Sequence, residues 1–163
     1  MIDFSFRIPA SEVLNQNWIS TALFCPAKLR NGMRWRFMEA KNKLQSIAKA
    51  YVENEKPEPF GAGKKIKETF TVTAPCTVKY FDPVNFHPTE KVLVDVLVKE
   101  GILEDDNGLV IPRVVFKSGG SKGRGYEFRL EMEEDESVTP MPEEDEGVGA
   151  KKASLFNEGN EAQ

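Results

Sequence analysis

Between Tyr80 and Asp106 the chain reads YFDPVNFHPTEKVLVDVLVKEGILEDD. Asp82 stands at one end of this stretch and Asp105 and Asp106 at the other, with Lys91 and Asp95 between them. Carboxylates suit Mg²⁺, a hard cation that takes one or two of them and completes its octahedron with water and substrate phosphate. Asn85 adds a carbonyl oxygen to the candidate ligands. Lys91 shares a face with His87 and Asp95 at i, i+4 spacing if the segment is helical. An ammonium there would hold a scissile phosphate or offset the charge that develops on it. Spacing alone leaves a second reading open, in which DP and EDDNG are ordinary turn sequences around a structural helix.

Other chemistries lack their residues. There is no P-loop, no GxGxxG, no GxSxG and no zinc-ligand cluster, and the single histidine, His87, excludes a multi-histidine metal site. Cys25 and Cys76 are far apart, form no CxxC and have no neighbouring base, which fits reduced structural thiols in a cytoplasmic chain.

The net charge of −4 conceals an asymmetry. From Glu131 onward lie 11 of the 26 acids but only Lys151 and Lys152 of the 22 bases, which leaves residues 1–130 with 20 bases, 15 acids and a net +5. A mildly basic body with an acidic tail suits a polyanionic partner. The bases best placed for one are Arg30, Arg34 and Arg36, then Lys79, then Lys117, Lys122 and Arg124 in the glycine-rich stretch KSGGSKGRG. Trp35, interleaved with arginines, is either a base-stacking surface or a core residue.

The elements that must position these residues are legible in part. IDFSFRI alternates Ile2, Phe4, Phe6 and Ile8 against Asp3, Ser5 and Arg7, the pattern of a half-buried strand. Pro9 to Met33 reads as a long irregular connection. RWRFMEAKNKLQSIAKAYVENEK repeats Phe37, Leu44, Ile47 and Tyr51 at helical spacing. ETFTVTAPCTVKYF is one strand, or two broken at Pro75. HPTEKVLVDVLVKEG is a helix with Pro88 at its start, Gly101 past its end and a stripe of Val92, Leu93, Val96 and Leu97. GLVIPRVVFK and YEFRLEME read as the two arms of a hairpin. After Met132 the chain is acidic and poor in large apolar residues, the composition of a disordered tail. No run approaches the roughly 18 apolar residues of a membrane span, and the N-terminus does not resemble a signal peptide. The expected architecture is α+β: a small mixed sheet with two main helices packed on it, over residues 1–131, followed by a tail from 132 to 163.

The series Asp82, Asn85, Pro88, Thr89, Lys91, Asp95, Gly101, Asp105 and Asp106 resembles the core motif of the RusA family of Holliday junction resolvases, in its phage and prophage form. The resemblance covers about residues 1–131. It implies a homodimeric, Mg²⁺-dependent endonuclease, with Mn²⁺ as a substitute, that cuts four-way DNA junctions in recombination and repair within a bacterial cytoplasm. By position its catalytic residues are Asp82, Lys91 and Asp106, and Asn85, Asp105 or water are the candidates for the remaining metal-ligand place. One position departs from the best-known form of the motif: Val84 stands where a second Asp is common, and valine offers no ligand. That departure leaves room for a non-catalytic junction-binding or DNA-binding protein on the same fold. Geometry poses a second question. A helix over residues 88–100 spans about 20 Å, which separates Asp82 from Asp106 unless the helix crosses obliquely, the flanking loops fold back, or two chains share a site.

Overall fold

The alternation in the first residues and the valine, threonine and aromatic content of later segments build four strands, which pack with two long helices among the described residues. The computed structural model of the chain describes residues 1–17, 19–20 and 27–137, with the backbone alone for 27–31. The strands are β1 (Ile2–Ile8), β2 (Ile66–Ala74), β3 (Arg113–Ser121) and β4 (Tyr126–Glu134), and the long helices are α1 (Ala27–Glu55) and α2 (His87–Lys99). The sheet order is β1-β4-β2-β3, antiparallel except for the β2–β3 pair. The fold is therefore α+β with a mixed four-stranded sheet, and no helix among the described residues is long and apolar enough to cross a membrane.

Register sets the two faces. The row Phe4, Leu130, Phe70 and Phe116 runs across the sheet on its inner side, with Ile2, Met132, Glu68 and Val114 beside it. Phe128 is fully buried and meets Phe6, Phe70, Phe86 and Tyr126 at ring distances of 5.4, 5.6, 5.7 and 6.1 Å. Offset stacking and tilted contacts of this kind add to the area that the rings bury. The outer side is polar, and Arg129 there binds Asp3 bidentately at 2.8 and 2.6 Å. The Arg129 guanidinium holds the Asp3 carboxyl below its ordinary value.

α1 and α2 pack together, with Leu44 and Ala48 of α1 buried and Tyr51 tilted onto Phe4 at 4.4 Å. Of the stripe foreseen in α2, Val92, Leu93, Val96 and Leu97 are all buried, and Val94 joins them. Pro88 lies in its first turn. Gly101, at φ 73°, ends it, with Gly101 N–H donating to the Val98 carbonyl at 3.0 Å and Ile102 N–H to Leu97 at 2.9 Å. This paired closure satisfies the last carbonyls and needs the left-handed backbone that glycine allows.

Four expectations from the sequence are corrected. The connection from Pro9 to Met33 is not irregular throughout, because Ala10–Glu12 forms a 3₁₀ turn and α1 already starts at Ala27. β3 begins only at Arg113, so residues 108–112 of GLVIPRVVFK precede the strand. The two arms of the expected hairpin do not pair, because β2 lies between β3 and β4. Their connection crosses the end of β2 instead, with Lys122 N–H donating to the Ala74 carbonyl at 2.8 Å and Cys76 N–H to Gly123 at 3.1 Å. The parallel β2–β3 pair requires a crossover, and α2 supplies it. Finally, β4 runs through Glu134, so residues 132–134 belong to the sheet and not to a tail. Their carboxylates are matched by lysines of and beside β2: Glu133 with Lys67 at 2.8 Å and Glu134 with Lys64 at 2.7 Å. Cys25 and the acidic residues from 138 onward lie outside the described residues.

Candidate active site at the first turn of α2

Asp82 is exposed and precedes a 3₁₀ turn, Pro83–Phe86, where its Oδ1 accepts the Val84 N–H at 3.0 Å. Short polar side chains cap such turns because they accept N–H groups that the turn leaves unpaired. Asn85 lies inside this turn, half-buried, with its N–H donating to the Asp82 carbonyl at 3.1 Å. Val84 is exposed, so position 84 faces solvent beside Asp82 without offering a ligand.

Lys91 lies one turn into α2. Its Nζ forms an ion pair with Asp106 Oδ2 and approaches Asp95 Oδ1 at 3.4 Å. The segment after α2 therefore folds back along the helix. It is held there by backbone bonds from Phe60 N–H to the Ile102 carbonyl at 3.0 Å and from Ile66 N–H to Val110 at 2.8 Å. This fold-back answers half of the distance question, since Asp106 returns to the helix start despite following its end. Asp105 is turned into its own loop, with Oδ1 accepting Asp106 N–H at 2.7 Å and Oδ2 the Asn107 amide at 2.6 Å.

Asp82 and Asp106 are tied to different partners, the Val84 N–H and Lys91, and no contact among the described residues brings the two carboxylates together. No three His, Cys, Asp or Glu side chains come together as a metal shell among the described residues. Asp82 and Asp106 are hard oxygen donors, and an ion with few protein ligands keeps several waters.

Two further acids enter from the fold, and no motif in the sequence singled them out. Glu68 of β2 and Glu90 of α2 are both buried, at 1% and 4% exposure. Burial is the main cause that pushes the Glu68 carboxyl up to about 9, and the neighbouring Glu90 adds to it. Glu90 is likewise raised, chiefly by burial, and is drawn back down by its contacts with Glu68, His87 and Lys91. His87 Nδ1 lies 2.6 Å from Glu90 Oε2 while the ring stays exposed. A glutamate within a valine- and threonine-rich strand was the one available signal for Glu68, because the same face of β2 otherwise carries Ile66, Phe70 and Val72.

The candidate DNA-facing bases fall into separate groups. Lys79, Lys122 and Arg124 are exposed, and their two segments are stitched together by Ser121 Oγ donating to the Val78 carbonyl at 2.6 Å and by Lys122 N–H on Ala74. Tyr80, which no motif singled out, is 93% exposed beside Lys79. Lys117 is exposed on β3. Arg34 and Arg36 are exposed on α1, and Trp35 between them is a surface residue at 67% exposure, not a core residue. Arg30 is helical, and its side chain lies outside the described residues. Compared with known proteins, the chain matches no family model and no curated protein.

Proposed function

We propose that this chain is a RusA-like, Mg²⁺-dependent endonuclease that resolves four-way DNA junctions as a homodimer in a bacterial cytoplasm. The observation that carries the reading is the ion pair between Lys91 and Asp106, which brings together two motif residues 15 positions apart. A hydrogen-bonded turn holds Asp82, the third of them, at the entry to the same helix. Asp82 and Asp106 would hold Mg²⁺ or Mn²⁺, which would supply Lewis acidity for phosphodiester hydrolysis. Asn85 and water are the further oxygen donors for it, whereas the contacts of Asp105 give that residue a loop-holding role. Lys91 faces the scissile phosphate and offsets its developing charge. Asp106 and Asp95 hold the ammonium in place. Lys79, Lys122 and Arg124 contact the DNA backbone near Tyr80, whose exposed ring suits an unstacked base. Lys117, Arg34 and Arg36 extend that surface, and Arg30 is assigned to it from the sequence. Two-fold symmetry of a dimer matches a symmetric junction.

The test is cleavage of a synthetic four-way junction with Mg²⁺, comparing the native chain with Asp82→Asn, Lys91→Ala and Asp106→Asn. Symmetric nicking by the native chain and its loss in all three variants supports the reading. One observation favours a second reading, a non-catalytic junction binder: valine stands at the exposed position 84, and no cluster of three metal-ligating side chains forms among the described residues. Tight junction binding without nicking in either metal decides for that alternative.

A further inference from the structure

Beneath Lys91 the sheet and the helix meet through two carboxyl groups. Glu68 stands in the inner row Ile2, Met132, Glu68 and Val114, whose other members are apolar. Neither of its oxygens has a hydrogen-bond donor of its own among the described residues, and the group it lies against is the Glu90 carboxyl. Two buried carboxylates in contact disfavour a second negative charge strongly, whereas one proton between them turns repulsion into a hydrogen bond. The charged and titratable groups facing the pair come from α2: Lys91 faces both carboxyls, and His87 faces Glu90. The flanking strands present Val114 and Met132 at this row. Lys91 pairs with Asp106 and lies within electrostatic reach of both buried carboxyls.

We propose that Glu68 and Glu90 are positioning residues that hold one proton between them, and that this proton sets where the Lys91 ammonium points. The proposal rests on the reading of Lys91 as a phosphate-facing group. With the proton in place, the pair carries one negative charge and Lys91 reaches outward to Asp106. When the proton leaves to water, the pair carries two negative charges in a poorly solvated contact. The nearest cation is then drawn inward, away from Asp106 and from phosphate. The first turn of α2 loosens from β2 at the same step. Catalytic competence becomes proton-linked through groups that never touch the substrate.

The experiment is an NMR titration of the full chain carrying ¹³C-carboxyl glutamate and ¹³C,¹⁵N-lysine, with Glu68→Gln and Glu90→Gln alongside. The expected result is one glutamate carboxyl that titrates far above its neighbours, with the Lys91 ε signals moving at the same midpoint. Glu68→Gln or Glu90→Gln removes both changes. Ordinary titration of both glutamates overturns the proposal, as do Lys91 signals that stay flat across the step. The native chain needs no substitution for this readout, so a variant that folds poorly does not obscure it. Junction cleavage separates the proton-sharing pair from the nuclease reading. Where the chain cleaves, its rate relative to Glu68→Gln falls about tenfold per pH unit above the midpoint, and parallel profiles count against the proposal. A chain that shows the NMR linkage but cuts no junction retains the proton-sharing pair and overturns the nuclease reading alone.

Discussion

Lys91, one turn into α2, and Asp106, seven residues after its last residue, are joined by an ion pair. The intervening segment doubles back because its backbone is tied to residues 60–66 and not because of any local turn signal. If this pair faces the scissile phosphate, Lys91→Ala and Asp106→Asn should each reduce junction cleavage about 10²- to 10³-fold, the usual loss for one electrostatic stabiliser. Asp82→Asn should reduce it at least as far. Single-turnover rates at saturating Mg²⁺ measure this, and native-like rates in any of the three remove that residue from the mechanism.

Stability should fall with rising pH across an unusual window. The Glu68 carboxyl is raised in the folded chain from an ordinary 4.5 to about 9. Between those values the native state keeps a proton that the unfolded chain has released, so alkali favours unfolding. For one such proton the slope is at most about 1.4 kcal/mol per pH unit, vanishing below and above the window. Urea denaturation from pH 5 to 9 should show the native chain losing stability relative to Glu68→Gln. A difference that stays constant with pH contradicts the shift.

Phe128 anchors the aromatic row, fully buried among Phe6, Phe70, Phe86 and Tyr126. Phe128→Ala should cost about 3–5 kcal/mol, read as a lower denaturation midpoint at unchanged slope. A loss under about 1 kcal/mol would show that the row repacks.

Gly125 brings the start of β4 close to the end of β1. A Cβ there would sit 2.8 Å from the Ile8 backbone carbonyl, which has no flexible end to yield. Gly125→Ala should therefore destabilise by about 1–3 kcal/mol, the range for overpacking. Gly108→Ala, with no atom near its added Cβ, is the control.

The bases at the end of β2 should act through phosphate. Lys122→Ala and Arg124→Ala should weaken binding to junctions of different sequence alike. Each leaves one phosphate of a duplex arm without its cation, which should lower the salt slope of log K by about 0.9. Unchanged slopes in the double variant assign the DNA to another face.

How much of this could be read in advance follows from range. Local periodicity was enough for β1, for the stripe of α2 and for its proline start and glycine stop, because each depends on residues a few positions apart. It also placed Asp82 in a turn, since a short carboxylate beside proline caps its own neighbours. It began α1 at Arg34, although the helix already includes Ala27, and it paired β3 with β4. Two alternating strands joined by a glycine-rich link look like a hairpin whichever strand lies between them, and only the tertiary hydrogen bonds of β2 to both resolve that. The same holds for the site. The order of Asp82, Lys91 and Asp106 is a property of the sequence, but the return of Asp106 to the helix start depends on ties to residues about 40 positions earlier. The meeting of Glu68 with Glu90 depends on how α2 crosses β2. Burial of two acids against each other is a consequence of packing, and no neighbour in sequence carries it.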